Sequence, residues 1–166
     1  MTDFIQRFAR RDLERDDEGS AIVEFIALSL LMLIPLVYLV VTLSRIQAGA
    51  FAAESAAHEA ARATVVTGVA AVERGEAPSS AMDAASRRAN AAVAVVAGDF
   101  GFSDDEATLE LACVGPCLDP GGNVDARVTV SVSLPGIPGL MGGTIPLAVD
   151  VVASAQAPVD SVVRDQ

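Results

Sequence analysis

The chain has 166 residues, a formal net charge of −11 and a hydrophobic fraction of 52%. That length sets the expectation of one domain, or one small domain with an appendage, and the hydrophobic fraction excludes a disordered acidic tail. All 11 cations are Arg, against 22 acids, which argues against a nucleic-acid partner, because phosphate binding needs a basic face. One His, two Cys and no Trp leave little material for a catalytic site, a cofactor or a metal cage, and none of the three is expected.

Residues 1–19 are polar and charge-dense, with Arg7, Arg10, Arg11 and Arg15 among six acids. The segment 20–44 follows, and from Phe25 to Leu43 it holds 19 consecutive uncharged residues. About 20 residues of helix cross the hydrocarbon core of a bilayer, so 20–44 is expected to be a transmembrane helix. Cations set orientation. Four Arg precede the apolar segment and only Arg45 and Arg62 follow it closely, which places the N-terminus in the cytoplasm and the bulk of the chain outside it. Pro35 lacks a backbone donor and is expected to kink the helix.

The segment 45–65 is dominated by Ala, the best helix former, and is expected to extend the same helix. Ala48, Ala52, Ala56 and Ala60 recur every four residues, as do Ala53, Ala57 and Ala61; such rows make a smooth face that another element can approach closely. Glu54, His58 and Arg62 fall on a second stripe, read as the wet one. The Gly, Pro and Ser of residues 66–80 read as a linker. A second helix is expected from Ser80, with Asp83 three residues on as in a capping box. Its buried face would be Met82, Ala85, Ala89, Ala92, Val93 and Val96, and Gly98 would end it.

Beyond it the pattern changes to period two. Residues 107–114 alternate moderately. Residues 124–134 alternate without a break, with Val124, Ala126, Val128, Val130, Val132 and Leu134 on one face and polar residues on the other, as in a half-buried antiparallel strand. Residues 147–156 form a weaker third strand. Asp119-Pro120-Gly121-Gly122 is a turn sequence, and residues 135–143 read as a longer loop. The fold class expected is therefore α+β: a long N-terminal transmembrane helix, a second helix and a small antiparallel sheet of about three strands.

Glu24 is the residue at odds with its surroundings. An acid inside a membrane helix costs about 2.5–3.5 kcal/mol at mid-depth and less near an edge. It marks either a functional group or an interfacial acid within reach of water. Gly19 is the last small residue before the apolar segment, and Glu24 is fifth from Ser20. A short charged leader ending in Gly, then a hydrophobic helix with Glu as its fifth residue, resembles a type IV prepilin. The run GSAIVEFIALSLLMLIPLVYLV, the Ala-rich AAHEAARATVVTG, the paired Cys and the alternating Val-rich strand are together similar to the TadE-like family of Flp (tight-adherence) pilus minor pseudopilins.

That resemblance implies a leader of residues 1–19, cut between Gly19 and Ser20 by a prepilin peptidase. It implies that Glu24 pairs with the new amino terminus of a neighbouring subunit during assembly. The partners would be the bilayer, the peptidase, other pilin or pseudopilin subunits and the Tad assembly machinery. The location would be the cell membrane, with a single pass, and the pilus. Residues 66–166 would form a small extracytoplasmic α+β domain. The leader departs from the family in the acidic run Asp16-Asp17-Glu18 before Gly19, where basic residues are more usual. The alternative is an unprocessed single-pass protein whose extracytoplasmic domain binds a ligand or an envelope partner. Ala48-Gly49-Ala50 also fits the small-residue rule of ordinary signal peptidase, but the apolar core before it is longer than a signal peptide's 7–15 residues.

Cys113 and Cys117 are separated by Val-Gly-Pro. A zinc site needs about four ligands, and a redox pair is more often C-x-x-C. Outside the cytoplasm a disulfide is favoured over two unlinked thiols; so short a closure contributes about 2 kcal/mol, enough to pin a turn. His58-Glu59-Ala60-Ala61-Arg62 lacks the second His of a zincin. Neither Asp104-Asp105-Glu106 nor the group Asp119, Asn123 and Asp125 has calcium-loop spacing. Arg87-Arg88 reads as a wet helix face, and Ile137, Leu140 and Met141 as residues tucked under their own loop, with a partner contact as the alternative. An enzyme has no supporting constellation.

Overall fold

The computed structural model describes residues 2–115, 117–135 and 148–159, with the backbone alone for 2–19 and Val114. The elements in chain order are helix α1 (Thr2–Glu73), helix α2 (Pro78–Asp99), a short 3₁₀ turn (Asp104–Glu106), and strands β1 (Ala107–Val114), β2 (Asn123–Ser133) and β3 (Ala148–Pro158). The architecture is α+β. The sheet is antiparallel throughout, in the order β1-β2-β3. By contacts the chain divides into two units, Met1–Val41 and Thr42–Gln166.

In the first unit the described residues are one stretch of α1 with its bulky apolar side chains uncovered. Phe25, Leu31 and Met32 are each more than 70% exposed, and the most apolar window is wholly unburied. Pro35 lies inside the helix.

The second unit is built on the Ala-rich stretch of α1. Ala52, Ala53, Ala56, Ala57, Ala60 and Ala61 are buried in one cluster with Ala89, Val93 and Ala97 of α2, Phe102, and the inward face of the sheet. On β2 that face is Val124, Ala126, Val128, Val130 and Val132, all at zero exposure, so the strand's period of two matches the expected pattern. Register sets Ala155 of β3 opposite Ala126 and Leu109 of β1 opposite Val128, which aims the same face of all three strands at the helices. Small side chains on α1 let the sheet approach closely. At Gly49 a Cβ would overlap Val132, and at Gly68 it would come within 2.5 Å of Leu118. Gly49 lies by the end of β2 and Gly68 by the residue five before its start, so β2 runs antiparallel to α1 along about 28 Å of helix. Thr64, the buried polar residue of this face, donates its hydroxyl hydrogen to the Ala60 carbonyl at 2.7 Å, so its hydroxyl is satisfied within the helix.

Several boundaries differ from the sequence expectation, each for a local reason. The helix does not give way to a linker at 66. It continues to Glu73 and ends at Gly75, whose φ is +86°. The amides of Gly75 and Glu76 donate to the carbonyls of Val72 and Ala71, the paired bonds of a Schellman cap. Only residues 74–77 connect the helices. Pro78 opens α2 rather than breaking a linker, and no side-chain cap forms at Ser80, as expected of Pro in a first helical turn. The end of α2 is set by Gly101 (φ +82°), not Gly98. Gly101 N–H donates to Gly98 and Phe102 N–H to Ala97, and this second Schellman cap delivers Phe102 into the core, 5% exposed. Residues 107–114 form β1 as read, and β2 and β3 lie within two residues of their expected bounds. The loop that carries Ile137, Leu140 and Met141 lies outside the described residues.

Candidate functional site

Ser20 and Glu24 both lie on α1, both exposed. Four residues apart on a helix, they share one face about 6 Å apart along the axis. Around them Ile22, Val23, Phe25 and Ile26 are 51–71% exposed, so the carboxylate stands in an uncovered apolar collar. Gly19, described by its backbone alone, is within the same helix. The junction is therefore a continuous helical track: Gly19, Ser20, and an acid one turn further on.

The second feature is the tip of the β1–β2 hairpin. Cys113 and Cys117 form a disulfide, with their Cα atoms 5.1 Å apart. The bond joins the two cysteines that the sequence paired, and the residue after it has a place that the sequence did not reveal. Leu118, next in the chain, is 8% exposed and packs with Ala71 at the end of α1 and Ala81 at the start of α2, with Val72, Met82 and Cys117 at the margin. Gly68 supplies the notch that receives it. The signal was present as a Gly inside an Ala/Val helical run, but a Gly there reads equally as a breaker.

After Leu118, Asp119-Pro120-Gly121-Gly122 forms the expected turn: Gly122 N–H donates to the Asp119 carbonyl at 3.0 Å and Gly121 has φ +85°, the positive φ that a type II turn requires at its third position. Two further bonds, Gly121 N–H to Val159 O and Val159 N–H to Gly122 O, tie this turn to the end of β3.

The remaining candidates are dispersed. Glu54, His58 and Arg62 are exposed. The Arg62–Glu59 pair, at 3.9 Å, is largely solvated and contributes little. Arg87 and Arg88 are on the exposed face of α2. In the 3₁₀ turn Glu106 accepts hydrogen bonds from the Ser103 amide and hydroxyl and from the Ser133 hydroxyl. The amide bond is the main reason that its carboxyl is held below the ordinary glutamate range. Asp125 accepts from the Gln156 amide at 3.0 Å across the β2–β3 pair. Among the described residues no three His, Cys, Asp or Glu side chains are grouped as metal ligands.

No protein-family model, no curated protein and no solved structure matches the chain. The structure itself defines a class: a chain with one helix near its N-terminus long and apolar enough to cross a membrane, compatible with a single-pass anchor, and a small α+β unit carrying a disulfide.

Proposed function

We propose that the chain is a minor pseudopilin of a Flp (Tad) type IV-like pilus, a structural assembly subunit rather than an enzyme. In this reading a prepilin peptidase cuts between Gly19 and Ser20, the N-terminal side of the helix faces the cytoplasm, and the α+β unit is extracytoplasmic. The observation that carries it is the order Gly19, Ser20, Glu24 immediately ahead of 19 uncharged residues, with Ser20 and Glu24 on one exposed helix face. Cleavage would create a cationic amino terminus one turn from a carboxylate. Each group is costly to bury alone and less costly as a pair. In an assembly, Glu24 would meet the amino terminus of a neighbouring pilin-like subunit only when the two helices are in register, so pairing favours correct docking.

The packing of α1 bears on the rival cut after Ala50. That cut would remove Gly49, which lies beneath Val132, and Ala48, which packs on the main core. Retention of this stretch is what the folded unit needs, and it favours the Gly19 site.

The reading is tested in a host with the pilus machinery. Gly19→Val should retain the leader, and Glu24→Ala should leave processing and the folded unit intact while filament assembly fails. Normal filaments from Glu24→Ala would contradict it and favour the unprocessed, anchored binding domain.

A further inference from the structure

We infer that the Cys113–Cys117 disulfide is an oxidation-dependent latch on the elbow between α1 and α2, working through Leu118. Four observations converge on it. Leu118 is buried in a small cluster of its own, with Ala71 and Ala81, separate from the main core. Its seat exists because residue 68 is Gly: a side chain there would collide with both Leu118 methyl groups. Among the described residues between Val114 and Asn123, the segment that holds Leu118 has no strand or helix of its own. It is fastened instead at two points, the disulfide immediately before Leu118 and the turn bonded to Val159 immediately after. Finally, Leu118 lines an open groove together with Val72, Pro78, Ser79, Met82, Cys117 and Asp119, so its departure leaves the elbow facing water.

What else holds the elbow is at the surface. Residues 73–80 are exposed; the cap bonds run from Gly75 to Val72 and from Glu76 to Ala71, and the Arg74 guanidinium donates to the Glu76 carboxylate at 2.9 Å, an exposed pair that contributes little. Ala71 and Ala81 offer only methyl groups, and Leu118 is the one large side chain buried with them, Val72 and Met82 being only partly buried at the margin. The chemistry of release is simple. Cys113 is exposed and Cys117 half-buried, within reach of a dithiol. One thiolate of the dithiol attacks a cystine sulfur to give a mixed disulfide. The second thiolate displaces the protein sulfur, and the cystine gains two electrons and two protons while the dithiol becomes its own disulfide. The freed loop regains the chain entropy that the bond had removed, and Leu118 no longer has a fixed approach to its notch. The main core shares no residue with this cluster, so the response is local.

Hydrogen exchange on the full chain in detergent or nanodiscs, with and without dithiothreitol, tests the latch. Mass spectrometry verifies the two-proton gain. Reduction is expected to speed exchange at the amides of Gly75, Glu76 and Ala81 by about tenfold or more, while the β2–β3 amides keep their protection. Leu118→Ala with the disulfide intact is expected to give the same local loosening without reductant. Unchanged elbow exchange in reduced protein, equal loosening of sheet and elbow, or full elbow protection in Leu118→Ala would each overturn the proposal. None of these readouts depends on pilus assembly, so the latch and the proposed function fail separately.

Discussion

Between Ile22 and Leu43, the large apolar side chains of α1 are 44–73% exposed, whereas from Ala52 to Ala61 the same helix buries six alanines at 0–1%. Bulky Leu, Ile, Met and Phe occupy the stretch whose neighbours would be fluid, and Ala occupies the stretch whose neighbour is a sheet with a fixed surface. A fluid hydrocarbon phase adapts to any side-chain outline, so only total apolar area matters there. A folded partner does not adapt, and close-packed interiors respond to single methylene groups. One helix thus follows two design rules, and hydrophobicity alone does not separate them; side-chain size does.

The sharpest way to break that comparison is to exchange the rules. Ala56→Leu places three extra carbons where exposure is zero and is expected to cost about 3 kcal/mol by overpacking, read as a lower denaturant midpoint of the Thr42–Gln166 unit. Leu31→Ala, on the 72% exposed stretch, is expected to move that midpoint by less than about 0.5 kcal/mol. If Ala56→Leu is tolerated as well as Leu31→Ala, the two stretches do not differ as described. Next in size, Val128→Ala on the fully buried face of β2 should cost about 2 kcal/mol by the same measurement.

A smaller effect carries opposite signs at two glycines. Gly98→Ala meets nothing within 4 Å and should stabilise by about 0.5–1 kcal/mol through helix propensity and reduced chain entropy. Gly49→Ala forces Val132 to move and should destabilise by about 1 kcal/mol. Paired thermal melts check both, and the same sign for the two would discount the close approach of β2 to α1.

The smallest effect is a pH dependence. Glu106 has a depressed folded pKa, so the unfolded state binds its proton more tightly. Its contribution is present above the unfolded value and lost as pH falls through the folded one. Stability should therefore decline more in acid for the wild-type chain than for Glu106→Gln, with no such difference near neutral pH; urea titrations at pH 7 and pH 3 show it.

Much of this was legible in residue order because periodicity survives in it. The alternation from Val124 to Val132 specified a strand and its buried face, and the four-residue Ala rows specified the packed face of α1. The breakers were harder. Gly68, Gly75, Gly98 and Gly101 are alike as letters, yet Gly75 and Gly101 end helices through positive φ while Gly68 stays helical to admit Leu118. That distinction depends on a contact 50 residues away in the chain. Ser80 offered a capping pattern that Pro78 pre-empted, whereas Ser103 and Glu106, three residues apart in the same way, do bond to each other. At the candidate site the junction itself could be read directly, because Ser20 and Glu24 need only helical spacing to share a face. The role of Leu118 could not, since it depends on the fold.

The proposed function requires that α1 be cut ahead of Ser20. The most direct test is the intact mass of the full chain after co-expression with a prepilin peptidase. A chain starting at Ser20, dependent on the peptidase and blocked in Gly19→Val, is the expected result. A chain that starts at Met1 in the presence of active peptidase, or at Phe51, would contradict it.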